Sequence, residues 1–176
     1  MKISRKHKII LIVTVTAAAL CAAVFLKLFT LPGYSAPTDC TISDTGSGIT
    51  VIQEGRRLKV TRNDRIIWEM DKNVLVQSTL LGDIDHDGKD DLIVLCWKRG
   101  RYGKHRPTWV RHDEIGYSQH IFIYTIKEDK VVPRWMASDI GMDAASFRFD
   151  DGVLSITDTK GEVTKWIWRT WGLEKL

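Results

Sequence analysis

An uninterrupted run of 18 uncharged residues, Ile9–Leu26, constrains the N-terminal part of the chain more than any other feature. As a helix it would span about 27 Å, close to the ~30 Å hydrocarbon core of a bilayer. Four cationic residues precede it: Lys2, Arg5, Lys6 and Lys8. Because Lys and Arg flank membrane helices on the cytoplasmic side, we expect a cytoplasmic basic tail over residues 1–8. A transmembrane signal-anchor helix is predicted over residues 9–31, with the remainder outside the cytoplasm.

A cleaved signal peptide is the alternative interpretation of this segment. It requires an apolar stretch of about 7–15 residues followed by a small-x-small cleavage site. The run here is longer, and its alanines lie inside it. The length favours a single-pass protein of the plasma membrane, with cleavage and secretion as the second interpretation.

The basic character of the chain belongs to this N-terminal segment. The chain has 26 Lys and Arg against 22 Asp and Glu, and its formal net charge is +4. Five of the cations precede Thr38 and no acidic residue precedes Asp39, which leaves 21 basic against 22 acidic residues in the rest. Since that part is nearly neutral and faces outward, we do not expect it to bind nucleic acid.

The chain after the apolar run has the pattern of an all-β protein. Residues 32–47 are rich in Pro, Gly, Ser and Thr, which predicts a linker. Beyond them, short runs rich in Val, Ile, Thr, Tyr and Trp alternate with turn residues, which predicts an antiparallel meander over residues 48–176. The candidate strands are Ile49–Gln53, Leu58–Arg62, Ile66–Met70, Val74–Leu81, Leu92–Trp97, Gln119–Ile126, Val131–Ala137, Ser146–Phe149, Val153–Thr157 and Val163–Trp168.

A weak internal repeat lies within this region. Trp68 precedes Asp83 by 15 residues, and Trp135 precedes Asp150 by the same interval. Each Asp is followed by an acidic, glycine-containing turn and then by an apolar run. The spacing predicts two related β-units, of which the second has the shorter turn.

The segment 83–91 reads D-I-D-H-D-G-K-D-D and carries the clearest chemical signal. Carboxylates at alternate positions can converge on one point only around a cation, and Gly88 permits the necessary turn. The predicted ligands are the side chains of Asp83, Asp85, Asp87 and Asp91 and the backbone carbonyl of Lys89. Such oxygen ligands favour one structural Ca²⁺. An EF-hand is excluded, because position 12 is Val94 rather than Glu. The remaining alternative is a solvated acidic turn without a metal.

Residues 80–94 resemble the metal-loop core of FG-GAP (VCBS-type) repeats. That resemblance implies blades of an integrin-α-like β-propeller, with calcium held between two strands of a blade. In the second unit Asp150-Asp151-Gly152 lacks the ligand series, so no metal is expected there. A closed propeller has 4–8 four-stranded blades. Ten strands supply two to three blades, which implies a reduced derivative or completion by oligomerisation.

A basic stretch, Lys98–His112, follows the strand after the acidic segment. With Tyr102 and Trp109 among its cations, it is a candidate for binding an anionic polymer of the cell envelope or phospholipid headgroups. Its candidate contacts are Lys98, Arg99, Arg101, Lys104, Arg106 and Arg111. The alternative is a solvated loop whose cations pair with Asp113 and Glu114.

These features predict a membrane-anchored extracytoplasmic calcium-binding β module that acts in binding or scaffolding at the cell surface. Its partner would be an envelope polymer or a surface protein. The second hypothesis is a hydrolase, or its accessory domain, that acts on cell-wall glycan through an aromatic shelf of Trp166 and Trp168, although Trp in strands more often fills a core. No nucleophile elbow or zinc-type His spacing is present, so no catalytic residues are predicted. In an oxidising compartment Cys40 and Cys96 would be either paired or free.

Overall fold

The computed structural model describes residues 5–44, 46–102, 106–137 and 139–176. Within them lie one α-helix, one short 3₁₀ turn and twelve β-strands. Their bounds are α1 Arg5–Phe29, the 3₁₀ turn Gly33–Ser35, β1 Cys40–Asp44, β2 Ile49–Glu54, β3 Arg57–Arg62, β4 Arg65–Glu69, β5 Leu75–Gly82, β6 Asp91–Arg99, β7 Tyr117–Lys127, β8 Lys130–Met136, β9 Ala144–Asp150, β10 Val153–Asp158, β11 Val163–Arg169 and β12 Gly172–Lys175. Residues 1–4 of the predicted tail and Lys104 of the basic stretch lie outside the described residues.

The strands form three four-stranded antiparallel sheets, each made of consecutive strands. The first sheet contains β1–β4, the middle sheet β5–β8 and the third sheet β9–β12. The prediction of an all-β antiparallel meander is confirmed, while the assignment of its sheets as propeller-type blades stays a prediction. The two aromatic residues of the sequence repeat occupy the same place in successive sheets, because Trp68 lies in β4 and Trp135 in β8.

The middle sheet is covered on both faces. In β6, Leu92, Val94 and Cys96 belong to the core shared with the first sheet. Ile93 and Leu95 belong to the core shared with the third sheet. Successive side chains of a strand point to opposite faces, so a strand buried on both sides must be apolar throughout. This explains why residues 92–97 are a continuous apolar run.

The first and third sheets turn largely polar faces outward. Ile49 and Val51 of β2 lie in the first core, which directs Thr50 to the opposite face. Phe147 and Phe149 of β9 pack in or against the second core, so Arg148 faces away from it. A further sheet packed face to face would need an apolar surface, and these outward faces are largely polar.

Buried amide side chains connect the three sheets. Gln53 Nε2 of the first sheet donates to the Gln77 carbonyl of the middle sheet at 3.1 Å. Gln119 Nε2, also in the middle sheet, donates to Gln77 Oε1 and to the Ala144 carbonyl of the third sheet, both at 2.8 Å. The Ala144 N–H donates back to Gln119 Oε1 at 2.8 Å. Since buried amides are costly without partners, this network fixes how the sheets sit on one another.

Two strands were not predicted from the sequence. β1 lies inside residues 32–47, so the segment predicted as a linker is partly a strand of the first sheet. It is an edge strand in which only Ile42 packs against the core, and its polar composition conceals it. β12 is a four-residue edge strand that begins with a glycine. The helix also ends at Phe29 rather than Leu31, because Pro32 disfavours helical backbone at the residue before it.

Among the described residues, no helix is both long enough and apolar enough to cross a membrane. Segment 9–31 is helical up to Phe29. Its crossing of a membrane stays a prediction. Cys40 and Cys96 are not joined by a disulfide, and the Cys96 thiol is buried.

The loops alternate between two ends of the domain because the strands alternate in direction. The acidic loop, residues 83–90, joins β5 to β6, and the basic loop, residues 100–116, joins β6 to β7. They therefore lie at opposite ends of the nine-residue strand β6, about 27 Å apart at ~3.3 Å per residue. We call these the acidic-loop end and the basic-loop end.

Candidate functional site

The acidic loop brings three carboxylates together. Asp83, Asp85 and Asp87 each offer an oxygen, and these oxygens lie within 4.8 Å of one another. The loop is closed at its base by the pairing of Gly82 with Asp91. Three negative charges at this separation repel strongly, and a cation among them would reverse the sign of that energy.

Backbone hydrogen bonds orient the carboxylates. Asp83 accepts the N–H of Asp87 at its Oδ1 and the N–H of Gly88 at its Oδ2, both at 2.9 Å. The N–H of Lys89 donates to Asp87 Oδ1 at 3.0 Å. Gly88 has a φ of 83°, a left-handed conformation that glycine adopts without strain. The loop thus curls around its own acidic side chains.

Asp91, the first residue of β6, adds a buried carboxylate at the base of the loop. Only 2% of the residue is exposed. Thr125 Oγ1 donates to its Oδ1 at 2.8 Å, whereas the buried Oδ2 has no hydrogen-bond partner among the described residues. The pKa of Asp91 is raised to about 6, chiefly by burial and also by the charges of Asp85 and Asp87, against the lowering effects of the Thr125 hydrogen bond and of Arg134. The cluster that the structure forms contains Asp83, Asp85 and Asp87 but not Asp91. A cation that also reached Asp91 Oδ2 would offset the cost of its burial.

Asp85 has an ion-pair partner that the sequence did not predict. Arg134 of β8 forms an ion pair with Asp85 Oδ2, and only 3% of the Asp85 side chain is exposed. The Arg134 guanidinium carbon also lies 5.4 Å from the ring centroid of Trp168 in the third sheet. Asp85 is therefore partly neutralised through Oδ2, while its Oδ1 accepts the N–H of Asp87 at 3.2 Å.

The third sheet fixes the position of the acidic loop. The ring of His86 contacts Gly152 in the turn between β9 and β10, where a Cβ would collide with the imidazole. Phe149 likewise packs on Gly82 at the end of β5. The loop is thus held from outside as well as by its own hydrogen bonds.

Lys89 and Asp90 line a cavity of about 720 Å³ between the acidic loop and the turn that follows β1. Lys89 itself is exposed, and the role of its carbonyl as a ligand stays a prediction. Burial raises the pKa of Asp90, and the charges of Asp44 and Asp83 raise it further. Asp90 is a carboxylate that the predicted ligand set leaves out.

The cations of the basic stretch do not converge on one point. Arg101 forms ion pairs with Glu114 at 3.2 Å and with Asp139 at 3.0 Å. Arg99, Arg106 and Arg111 are exposed, and Lys98 is half-buried. Of the two acidic residues expected to pair with the loop's cations, Glu114 does so with Arg101.

Asp113 organises the described backbone of the basic loop. Its Oδ1 accepts the N–H groups of Arg101 at 2.8 Å, of Tyr102 at 3.2 Å and of Glu114 at 2.9 Å. A carboxylate that collects several N–H groups stabilises a fixed loop conformation. The basic loop is therefore shaped around an acidic residue.

The end of helix α1 packs on the basic loop. The guanidinium carbon of Arg99 lies 4.5 Å from the ring centroid of Phe29 and 5.0 Å from that of Tyr117. Leu28 lies against Gly116, near enough to touch a Cβ there. The sequence carries no signal for this contact, because the partners are about 70–90 residues apart in the chain.

Ser118 and His120 form a hydrogen-bonded pair at the base of this loop. Their Oγ and Nε2 atoms are 2.8 Å apart, and the Ser118 hydroxyl donates to the Gly100 carbonyl at 2.9 Å. His120 Nδ1 lies 2.8 Å from the Ala137 carbonyl. Burial lowers the pKa of His120. These bonds join the two ends of the loop to the segment that follows β8.

Trp166 and Trp168 are half-buried and pack against the second core, as core-filling residues. Trp109 and Trp171, by contrast, are 81% and 82% exposed.

No family model, no curated protein and no solved structure matches this chain. The similarity to FG-GAP repeats is therefore an expectation that rests on residues 80–94 alone.

Proposed function

We propose that the chain is a membrane-anchored, outward-facing β module of FG-GAP type that binds one structural Ca²⁺ and acts in binding or scaffolding at the cell surface. The observation that carries the proposal is the carboxylate cluster of the acidic loop together with the unpartnered buried oxygen of Asp91. A solvated acidic turn would not bury a carboxylate oxygen without a donor.

The donor set favours calcium. The cluster offers carboxylate oxygens, the ligands of hard cations, and contains neither His nor Cys. Ca²⁺ accepts 6–8 oxygen ligands in flexible geometry, whereas Mg²⁺ keeps several waters and binds fewer carboxylates. A cation here would hold the β5–β6 connection together, a structural role.

Helix α1 supports attachment to a membrane. Its described apolar side chains are exposed, for example Leu11 at 60%, Leu20 at 67% and Phe25 at 61%. In the sequence the apolar run begins at Ile9, directly after Lys8. Exposed apolar area costs roughly 25 cal/mol per Å² in water, so these exposed side chains favour a lipid environment or a protein cover. The one-sided cationic flank favours lipid.

The glycan hypothesis lacks comparable support. It depends on an exposed shelf of Trp166 and Trp168, and both side chains pack against the second core. Binding or scaffolding is therefore the function that we retain.

The test is the thermal stability of the full chain in detergent, with about 10 mM Ca²⁺ or with a chelator. For a weak extracellular site we expect Ca²⁺ to stabilise the fold by roughly 1–3 kcal/mol and to raise the melting temperature by several degrees. Asp83→Ala should abolish this difference.

Asp158→Ala is the matched control. Asp158 accepts two backbone N–H groups, from Lys160 and Glu162, just as Asp83 accepts two within the acidic loop. The control should lower stability to a similar extent and keep the response to Ca²⁺. Equal melting temperatures of the unaltered chain in calcium and in chelator would refute the metal site.

A further inference from the structure

The contact between α1 and the basic loop sets the depth of the loop relative to a bilayer. Phe29 lies three residues beyond Leu26, the last residue of the apolar run, which is about 4.5 Å along a helix. The headgroup layer adds roughly 5–8 Å on each side of the hydrocarbon core. Since Arg99 stacks on Phe29 at 4.5 Å, its guanidinium lies at headgroup depth when α1 crosses the bilayer.

Two large side chains of the same loop are almost uncovered. Trp109 is 81% exposed and Ile115 is 67% exposed. Trp is enriched at membrane interfaces, where its ring meets lipid and its N–H meets water. Ile115 directly precedes Gly116, the residue against which Leu28 of the helix lies.

The charge balance of the loop leaves cations on its surface. Its two acidic residues are engaged, since Glu114 pairs with Arg101 and Asp113 accepts backbone N–H groups. Arg106 and Arg111 are exposed and form no ion pair among the described residues. Exposed cations beside a membrane helix attract anionic phospholipids.

We infer that the basic loop docks on the surface of the bilayer that holds α1, with Trp109 and Ile115 in the headgroup layer and Arg99, Arg106 and Arg111 on anionic headgroups. This inference rests on the proposed anchoring by α1. A bilayer fits better than a soluble anionic polymer, because a polymer would account for the arginines but not for the exposed apolar side chains. The docked loop would hold the domain upright, with the acidic-loop end about 27 Å farther from the membrane at ~3.3 Å per residue of β6.

The test uses the full chain in lipid nanodiscs that contain bromine-labelled acyl chains, which quench nearby tryptophans. Trp109→Phe should remove most of the lipid-dependent quenching. Trp171→Phe is the control, because Trp171 is equally exposed but lies in the turn between β11 and β12, at the acidic-loop end. Its replacement should leave the quenching unchanged.

The charge component is tested in the same nanodiscs. Quenching of Trp109 should be stronger with phosphatidylglycerol than with phosphatidylcholine alone, and weaker at high salt. Arg111→Glu should remove the difference between the two lipids. Lys130→Glu, an exposed cation in the β7–β8 hairpin at the acidic-loop end, should preserve it.

Failure of the full chain to enter nanodiscs would refute the proposed anchor. Entry with equal quenching in the Trp109→Phe variant and the unaltered chain would refute only the docking of the loop. Release of the quenching by soluble poly(glycerol phosphate) at low concentration would assign the loop to a polymer and overturn the inference.

Discussion

The acidic loop and the basic loop leave opposite ends of one strand, and they handle like charges in opposite ways. In the acidic loop the carboxylates of Asp83, Asp85 and Asp87 converge on one another, and Asp91 is buried at the base of the loop. In the basic loop the charged side chains turn outward around a single inward carboxylate, that of Asp113.

This difference indicates which of the two loops we expect to depend on a ligand for its order. Asp113 accepts hydrogen bonds from the loop's own backbone, so the basic loop is held without a ligand. Its exposed arginines therefore remain available to bind an anionic surface. The acidic loop contains more negative charge than its N–H groups and Arg134 can neutralise, and it has a buried oxygen without a donor. We therefore expect calcium to act on stability and lipid to act on orientation.

The largest effect is expected at Asp91. Asp91→Asn removes a buried charge, so in chelator it should be as stable as the unaltered chain or more stable. In calcium it should lose the stabilisation of roughly 1–3 kcal/mol that the ion provides. Denaturant unfolding of both chains, in chelator and in calcium, measures whether their order of stability reverses.

Thr125→Val is the companion variant. It removes the donor to Asp91 Oδ1 and should cost about 1–3 kcal/mol in both conditions. A calcium response retained in full by Asp91→Asn would show that Asp91 is not a ligand.

A smaller effect is expected from the corresponding change in the basic loop. Asp113→Ala leaves the N–H groups of Arg101, Tyr102 and Glu114 without their acceptor. Because water can replace part of these bonds, we expect a loss of about 1–2 kcal/mol that is the same in calcium and chelator. Hydrogen exchange at those three amides should accelerate, while the acidic loop stays unchanged. A loss that calcium modulates would contradict the independence of the two ends.

The smallest effect is a pH response at the basic-loop end. Burial lowers the pKa of His120, and nearby Lys98 lowers it further, while the Ala137 carbonyl and Asp139 act in the opposite direction. As pH falls below ~6.5, the unfolded chain binds a proton that the folded chain does not, so stability should fall with pH. The slope is at most about 1.4 kcal/mol per pH unit.

His120→Gln keeps a polar side chain without this titration. Its stability should change less between pH 7 and pH 5 than that of the unaltered chain, and subtracting the two profiles removes the contribution of Asp91. Parallel profiles for the two chains would show that His120 is not the group responsible.

Much of the fold was readable from the sequence. Ten strands were predicted because runs of β-branched and aromatic residues reflect which face of a strand is buried. The continuous apolar run of residues 92–97 indicates burial on both faces. Trp68 and Trp135 repeat the same spacing because they lie in equivalent strands, β4 and β8, of successive sheets. β1 was not predicted because an edge strand buries little apolar surface. In β1 only Ile42 packs against the core.

The candidate site was readable only where its partners are close in sequence. Asp83, Asp85 and Asp87 share one loop, so their spacing predicts their meeting. The pairing of Asp85 with Arg134, the stacking of Arg99 on Phe29 and the unpartnered oxygen of Asp91 all depend on how separate elements pack. Spacing along a chain carries no information on such contacts.

Because each sheet uses only consecutive strands, the domain can assemble in the order in which it is synthesised. The strands of the first sheet are complete at Glu69, but the core beneath them closes only when the middle sheet arrives. A chain stopped after Met136 would bury that first core. It would still expose Ile93, Leu95 and Ile121, which only the third sheet covers. The middle sheet is therefore the point of greatest risk in biogenesis: until the last forty residues emerge, it presents a bare apolar face to chaperones, proteases and other copies of itself.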